Sequence, residues 1–164
     1  MKTLLILRHA KSSWKHPVAD HDRPLNDRGR SDAPRVGKVL READLVPDWI
    51  VCSTALRARK TAEELAKHSG YAGKIELARD LYLAGPERYR SVLRGAPNEF
   101  DRVLVVGHNP GLEMLLTDLT GIREALPTAA FAHVRLEIGR WRDLDGNTRG
   151  SLVELWRPRS AVDK

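Results

Sequence analysis

Arg8, His9 and Ala10 close the apolar run Leu4-Leu5-Ile6-Leu7. Such a run reads as a buried strand, and ligands of open α/β sheets bind beyond the carboxyl ends of strands. An imidazole with no acidic neighbour, set beside a guanidinium fork that grips phosphate oxygens two at a time, suits a histidine nucleophile for a phosphoryl group. On these three residues alone, a surface arginine beside a half-buried histidine remains the alternative. Two further segments repeat the pattern. Cys52-Ser53-Thr54-Ala55-Leu56-Arg57 ends a second apolar run and opens a helix, with Ser53 and Thr54 in cap position and Arg57 one turn in, so backbone donors and an arginine would meet at one anion site. Gly107-His108-Asn109-Pro110-Gly111 sets a second histidine ahead of a helix start. Arg8, Arg57, His108 and helix N-termini would neutralise a transferring phosphoryl group without a metal, so no cofactor is expected.

The elements that must position these residues follow from periodicity. Interior strands are expected over residues 3–8, 49–52, 74–77 and 102–107. Between them, Val36, Val39, Leu40 and Ala43 recur at helical spacing, in a helix expected to hold Pro34 in its first turn. Further helices are expected over residues 55–68, over 86–93, and from Pro110 to near Gly121. Residues 131–138 and 151–156 run or alternate apolar around the turn-rich Asp145-Gly146-Asn147, which predicts an edge hairpin. The expected architecture is α/β: a three-layer α/β/α sandwich on a mostly parallel sheet with an antiparallel edge, one domain over residues 1–164.

Composition narrows the partners. The net charge is +6 and the sequence pI near 9.8, yet no three basic residues are consecutive and the arginines are interleaved with Asp and Glu. That pattern argues against nucleic acid and for a phosphorylated ligand. No stretch approaches the length of a membrane span, and the lone Cys52 fits a reducing compartment, so a cytoplasmic location is expected. Oligomeric state leaves no signature.

Taken in order, the motifs resemble the histidine phosphatase superfamily, the phosphoglycerate mutase-like enzymes, and among them the small SixA-type phosphohistidine phosphatases. Arg8-His9-Ala10-Lys11-Ser12 resembles the family's Arg-His-Gly signature. Arg23-Pro24-Leu25 with Arg28-Gly29 resembles its first loop, Ser53 to Thr61 its Ser-x-x-x-Arg-Ala-x-x-Thr segment, and Gly107-His108-Asn109-Pro110 its second-histidine motif. The resemblance implies that His9 is the phosphorylated nucleophile, that Arg8, Arg57 and His108 form the phosphate pocket, and that Ser12, Lys15, Arg23 and Asn109 line its rim. It points to Asp80 as the general acid, with Asp20 and Asp22 as rivals. Two departures stand out: Ala10 replaces the signature glycine, and Lys15 stands where many mutase-type members place an asparagine. The chain leaves little room for a lid between His68 and Gly85. An open site suits a phosphorylated protein, with a small phosphate ester or nucleotide as the alternative substrate.

Rival chemistries are less well served. Cys52 precedes Arg57 as in the phosphate loop of cysteine-based phosphatases, but the spacing is one residue short and the segment has no glycine. Asp20-His21-Asp22 could begin a metal site, but partners at metal-ligand spacing are missing. A non-catalytic phospho-binding module would give His9 no role. His16, His21, His68 and His133 fall outside the motifs.

Overall fold

The structure, a computed structural model, describes residues 1–158. In chain order it comprises β1 (Lys2–Arg8), α1 (Asp27–Glu42), β2 (Trp49–Ser53), α2 (Leu56–Ser69), β3 (Ile75–Ala78), α3 (Pro86–Arg94), β4 (Arg102–Gly107), α4 (Gly111–Thr120), β5 (Phe131–Leu136) and β6 (Gly150–Trp156). The strands form one sheet in the order β3-β2-β4-β1-β5-β6. The first four are parallel, and β5 and β6 complete the sheet as an antiparallel edge. The expected single domain extends over residues 159–164, which lie outside the described residues.

Strand alternation sorts the core into two layers. Leu4, Ile6, Val51, Val103 and Val105 face Tyr89 and Leu93 of α3 and Leu112, Leu115 and Leu116 of α4. Leu5, Leu7, Ile50, Cys52, Leu104 and Val106 face Ala33, Val36 and Leu40 of α1 and Ala58, Ala62 and Leu65 of α2. Because β1 and β4 are covered on both faces, they are apolar at successive positions. Each such side chain stabilises the fold by about 1.5–3 kcal/mol on burial. The result is the expected α/β/α sandwich.

Two local differences have physical causes. The first helix starts at Asp27, so Pro34 lies in its interior and leaves the Arg30 carbonyl without the usual i to i−4 donor. Asn26 sets that early start, since its side chain caps the helix by accepting from Gly29 N at 2.9 Å. The hairpin connection is more than turns. Its 3-10 turn Trp141–Asp143 buries Trp141, whose Nε1 donates to the Phe100 carbonyl at 2.6 Å.

The topology places a crevice where it is needed. Neighbouring β1 and β4 run parallel with Arg8 in register with Gly107. From their carboxyl ends the chain departs to α1 on one face of the sheet and to α4 on the other. Diverging connections at adjacent strand ends open a binding site between them. Among the described residues α2 is the one helix between β2 and β3, and no lid domain covers the crevice.

Candidate active site

His9 leaves β1 with its amide donating to the Gly107 carbonyl at 3.1 Å, which ties it to the end of β4. Its Nδ1 lies 2.7 Å from the Ala10 carbonyl. A carbonyl can only accept, so Nδ1 carries the proton and Nε2 keeps its lone pair. Burial pushes the imidazole down to about 3, against the pull of the Ala10 bond, and His108, Arg57 and Arg8 push the same way. His9 is therefore neutral at physiological pH, the form that can attack phosphorus. Ala10 is not in the left-handed region, so no glycine is required there. Its amide donates to Thr61 Oγ1 at 2.9 Å, and that hydroxyl donates to the Arg57 carbonyl at 2.7 Å. The exit of β1 is thereby stapled to the first turns of α2.

Arg57 lies in the first turn of α2 rather than one turn in, and the cap position is held by Ala55, not by Ser53 or Thr54. Arg57 is buried, donating from Nη1 to the Asp20 carbonyl at 2.7 Å and from Nη2 to Asp20 Oδ2 at 3.1 Å. Arg8 donates from Nη1 to the Leu126 carbonyl at 3.2 Å. Asn109 Nδ2 donates to that same carbonyl at 2.8 Å and to Glu113 Oε2 at 2.9 Å, while Glu113 accepts from Leu126 N at 2.7 Å. One carbonyl thus fixes both an arginine and an asparagine of the crevice.

His108 faces His9 with ring centroids 5.1 Å apart. Its Nε2 lies 2.8 Å from the buried Ser53 hydroxyl, which also accepts from Ala55 N at 3.2 Å. Burial first, and then Arg57, lower its pKa to about 4. Three nitrogens around His9, Nε of Arg8, Nε of Arg57 and Nδ1 of His108, are buried and make no hydrogen bond within the protein.

A cavity of about 220 Å³ joins these groups. Of the residues expected from sequence, Arg8, His9, Ser12, Arg23, Arg57, His108 and Asn109 line it. Lys15 and Asp80 do not: both are exposed and outside the lining. Asp80 lies on a 3-10 turn after β3, whereas Asp20 reaches the arginines. The Asp20 carboxylate accepts from Tyr82 Oη at 2.5 Å, Arg23 Nε at 3.0 Å and Arg57 Nη2 at 3.1 Å. Tyr82 foremost, with the two arginines, holds it down at about 2, so it is ionised at neutral pH. Asp22 is exposed and pairs with His21.

Sequence reasoning missed Lys11, Trp14 and Thr128 as wall residues. Trp14 is 76% exposed and stacks over the buried Arg23 guanidinium at 3.4 Å. A tryptophan in a polar loop five residues after the histidine was the available signal. Arg23 also donates to Ser12 Oγ at 2.8 Å. Gly29 supports this loop from below, because a Cβ there would lie 2.1 Å from the Lys11 carbonyl oxygen. Cys52 is fully buried, and burial pushes its thiol pKa far up, away from the thiolate a nucleophile requires.

Residues 4–82 match the model of the histidine phosphatase superfamily (branch 1). An uncharacterised protein of Mycobacterium tuberculosis is 35% identical over 93% of this chain and 100% of its own length. The SixA structure from Nakamurella multipartitia superposes with a TM-score of 0.86 at 27% identity, covering 97% of both chains. The protein histidine phosphatase SixA complexed with tungstate shares the fold, with a TM-score of 0.82 at 22% identity over 95% of this chain and 97% of that one.

Proposed function

Because the chain belongs to the histidine phosphatase superfamily and to its SixA-type members, we propose that it dephosphorylates phosphohistidine in proteins through a phosphohistidine on its own His9. The observation that carries this is the neutral His9, its Nδ1 tied to Ala10 and its Nε2 free, among three buried nitrogens that lack a protein partner. Nε2 attacks phosphorus, and the bond from phosphorus to the substrate imidazole breaks. The departing ring takes its proton from solvent. Water then attacks the phosphorus on His9, releasing inorganic phosphate and restoring the imidazole. Arg8, Arg57 and His108 would stabilise the equatorial oxygens in both steps, with no metal called for.

The phosphohistidine preference rests on the acid. An alkoxide is about as poor a leaving group as hydroxide, whose parent water has a pKa of about 15.7, so ester cleavage needs a proton delivered in the transition state. Asp20 holds none at neutral pH, and Asp80 lies outside the cavity lining. An imidazole leaving group resembles the attacking His9, so transfer between the two is nearly balanced. The test assays wild type and His9→Ala on a phosphohistidine protein, an alkyl phosphate monoester and a nucleotide monophosphate. Wild type should favour the phosphohistidine protein in kcat/KM and His9→Ala should be inactive. Faster turnover of either ester would overturn the substrate assignment, and an active His9→Ala would overturn the nucleophile.

A further inference from the structure

The phosphate cavity does not end at its histidines. Arg57, His108 and Asn109 also line a second hollow of about 320 Å³, whose remaining wall includes Leu83, Ala84, Pro110 and Met114. Pro110 and Met114 line in turn a third hollow of about 440 Å³, whose far wall is the more polar Glu113, Thr117, Asp118, Arg123 and Glu124. From Pro110 to Thr117 the wall follows α4 for roughly 10 Å at 1.5 Å per residue. Two large apolar side chains stand exposed along this path, Leu83 at 80% and Met114 at 49%. Leu83 is held there at φ 60°, a left-handed conformation uncommon outside glycine. Strained backbone of this kind clusters at ligand-binding segments, where the surrounding structure maintains it. Met114 sits at the joint between the two hollows, and methionine adapts its shape to varied partners.

Resting on the phosphohistidine reading, we propose that this groove receives the polypeptide flanking the phosphorylated histidine and packs one of its apolar side chains between Leu83 and Met114. The groove shares Arg57, His108 and Asn109 as a common wall with the phosphate cavity, and with its neighbour it offers far more space than an imidazole fills. The exposed Leu83 and Met114 side chains are out of place beside an anion site unless a second part of the substrate covers them. A segment of protein chain supplies both parts at once, the phosphorylated ring for the cavity and a neighbouring apolar side chain for the shelf.

The test compares kcat/KM on a phosphohistidine protein with kcat/KM on phosphoramidate, a small substrate that cannot reach the shelf. Leu83→Ser, Met114→Ser and the double variant are measured beside Val153→Ser, which removes an exposed apolar side chain from β6. Thermal melts confirm that each is folded. The protein-to-phosphoramidate ratio should fall about tenfold or more in the shelf variants, through KM, as loss of a buried Leu or Met contact does. Val153→Ser should keep the wild-type ratio. An unchanged ratio in the folded double variant, or an equal fall in Val153→Ser, would overturn the groove while leaving the active site as described. A wild type inert on both substrates would instead sink the phosphohistidine reading.

Discussion

Asp20 holds Arg57 at two points, its backbone carbonyl accepting from Nη1 at 2.7 Å and its carboxylate from Nη2 at 3.1 Å. The same carboxylate binds Tyr82 and Arg23, so it organises the cationic wall instead of storing a proton.

That distinction is measurable. Asp20→Asn keeps an oxygen to accept from these donors and should stay within about tenfold of wild type, whereas Asp20→Ala should lose about 10–100-fold, the worth of hydrogen bonds to charged groups. A general acid would give equal losses in both variants, concentrated on alkyl esters. Asp80→Asn should change kcat/KM by less than about twofold, as surface substitutions do.

Acid stability should follow the two buried imidazoles. His9 and His108 have folded pKa values near 3 and 4, below the ordinary 6.5. Between those limits the unfolded chain takes up protons that the folded one refuses, so stability is complete above 6.5 and declines as pH falls below it. The melting temperature should drop from pH 6.5 towards pH 4, and a His9→Gln/His108→Gln variant should show a shallower decline. An identical slope in that variant would assign the decline to other groups.

Arg57→Ala should lower the rate on the order of 10²–10³-fold, the usual effect of deleting one transition-state donor. Activity should survive excess chelator, since Arg8, Arg57 and His108 line the cavity beside His9 and would supply the charge a metal brings, and vanadate should compete with substrate. Loss of activity in chelator, restored by a divalent cation, would contradict this.

Gly29→Ala would drive a methyl to 2.1 Å from the Lys11 carbonyl oxygen, and the loop carrying Ser12 and Trp14 would have to move. Overpacking of this kind costs about 1–3 kcal/mol, or some 2–4 °C of melting temperature per kcal/mol for a chain of this size. Calorimetry and a raised KM for small phosphorylated substrates would report both consequences. An unchanged melting temperature would mean that the loop yields freely.

The sheet was legible because β1 and β4 are buried on both faces and therefore read as unbroken apolar runs, with Arg8-His9 and His108 where those runs stop. The antiparallel edge was legible from the absence of a helix between the last two strands. Local signals also misled. Pro34 suggested a later helix start, although Asn26 three residues before Gly29 carried the capping pattern. The part Asp20 plays could not be read locally, because its partners Arg57 and Tyr82 lie 37 and 62 residues away. Asp80 came from the family resemblance, and it and Lys15 lie outside the cavity lining; Lys15 was placed by motif alignment in a loop whose inward positions fall to Ser12 and Arg23.

The staple from Ala10 through Thr61 to Arg57, and the register of Arg8 with Gly107, tie the histidine pair to the centre of the sheet. Proteins open locally where few contacts hold the chain, and central strands such as β1 and β4 belong to the most stable part of a sheet. The separation of His9 and His108 is therefore set by backbone contacts of adjacent central strands. The rim residues Trp14 and Leu83 are, by contrast, exposed. Heating should leave the reacting groups in place until cooperative melting removes them together.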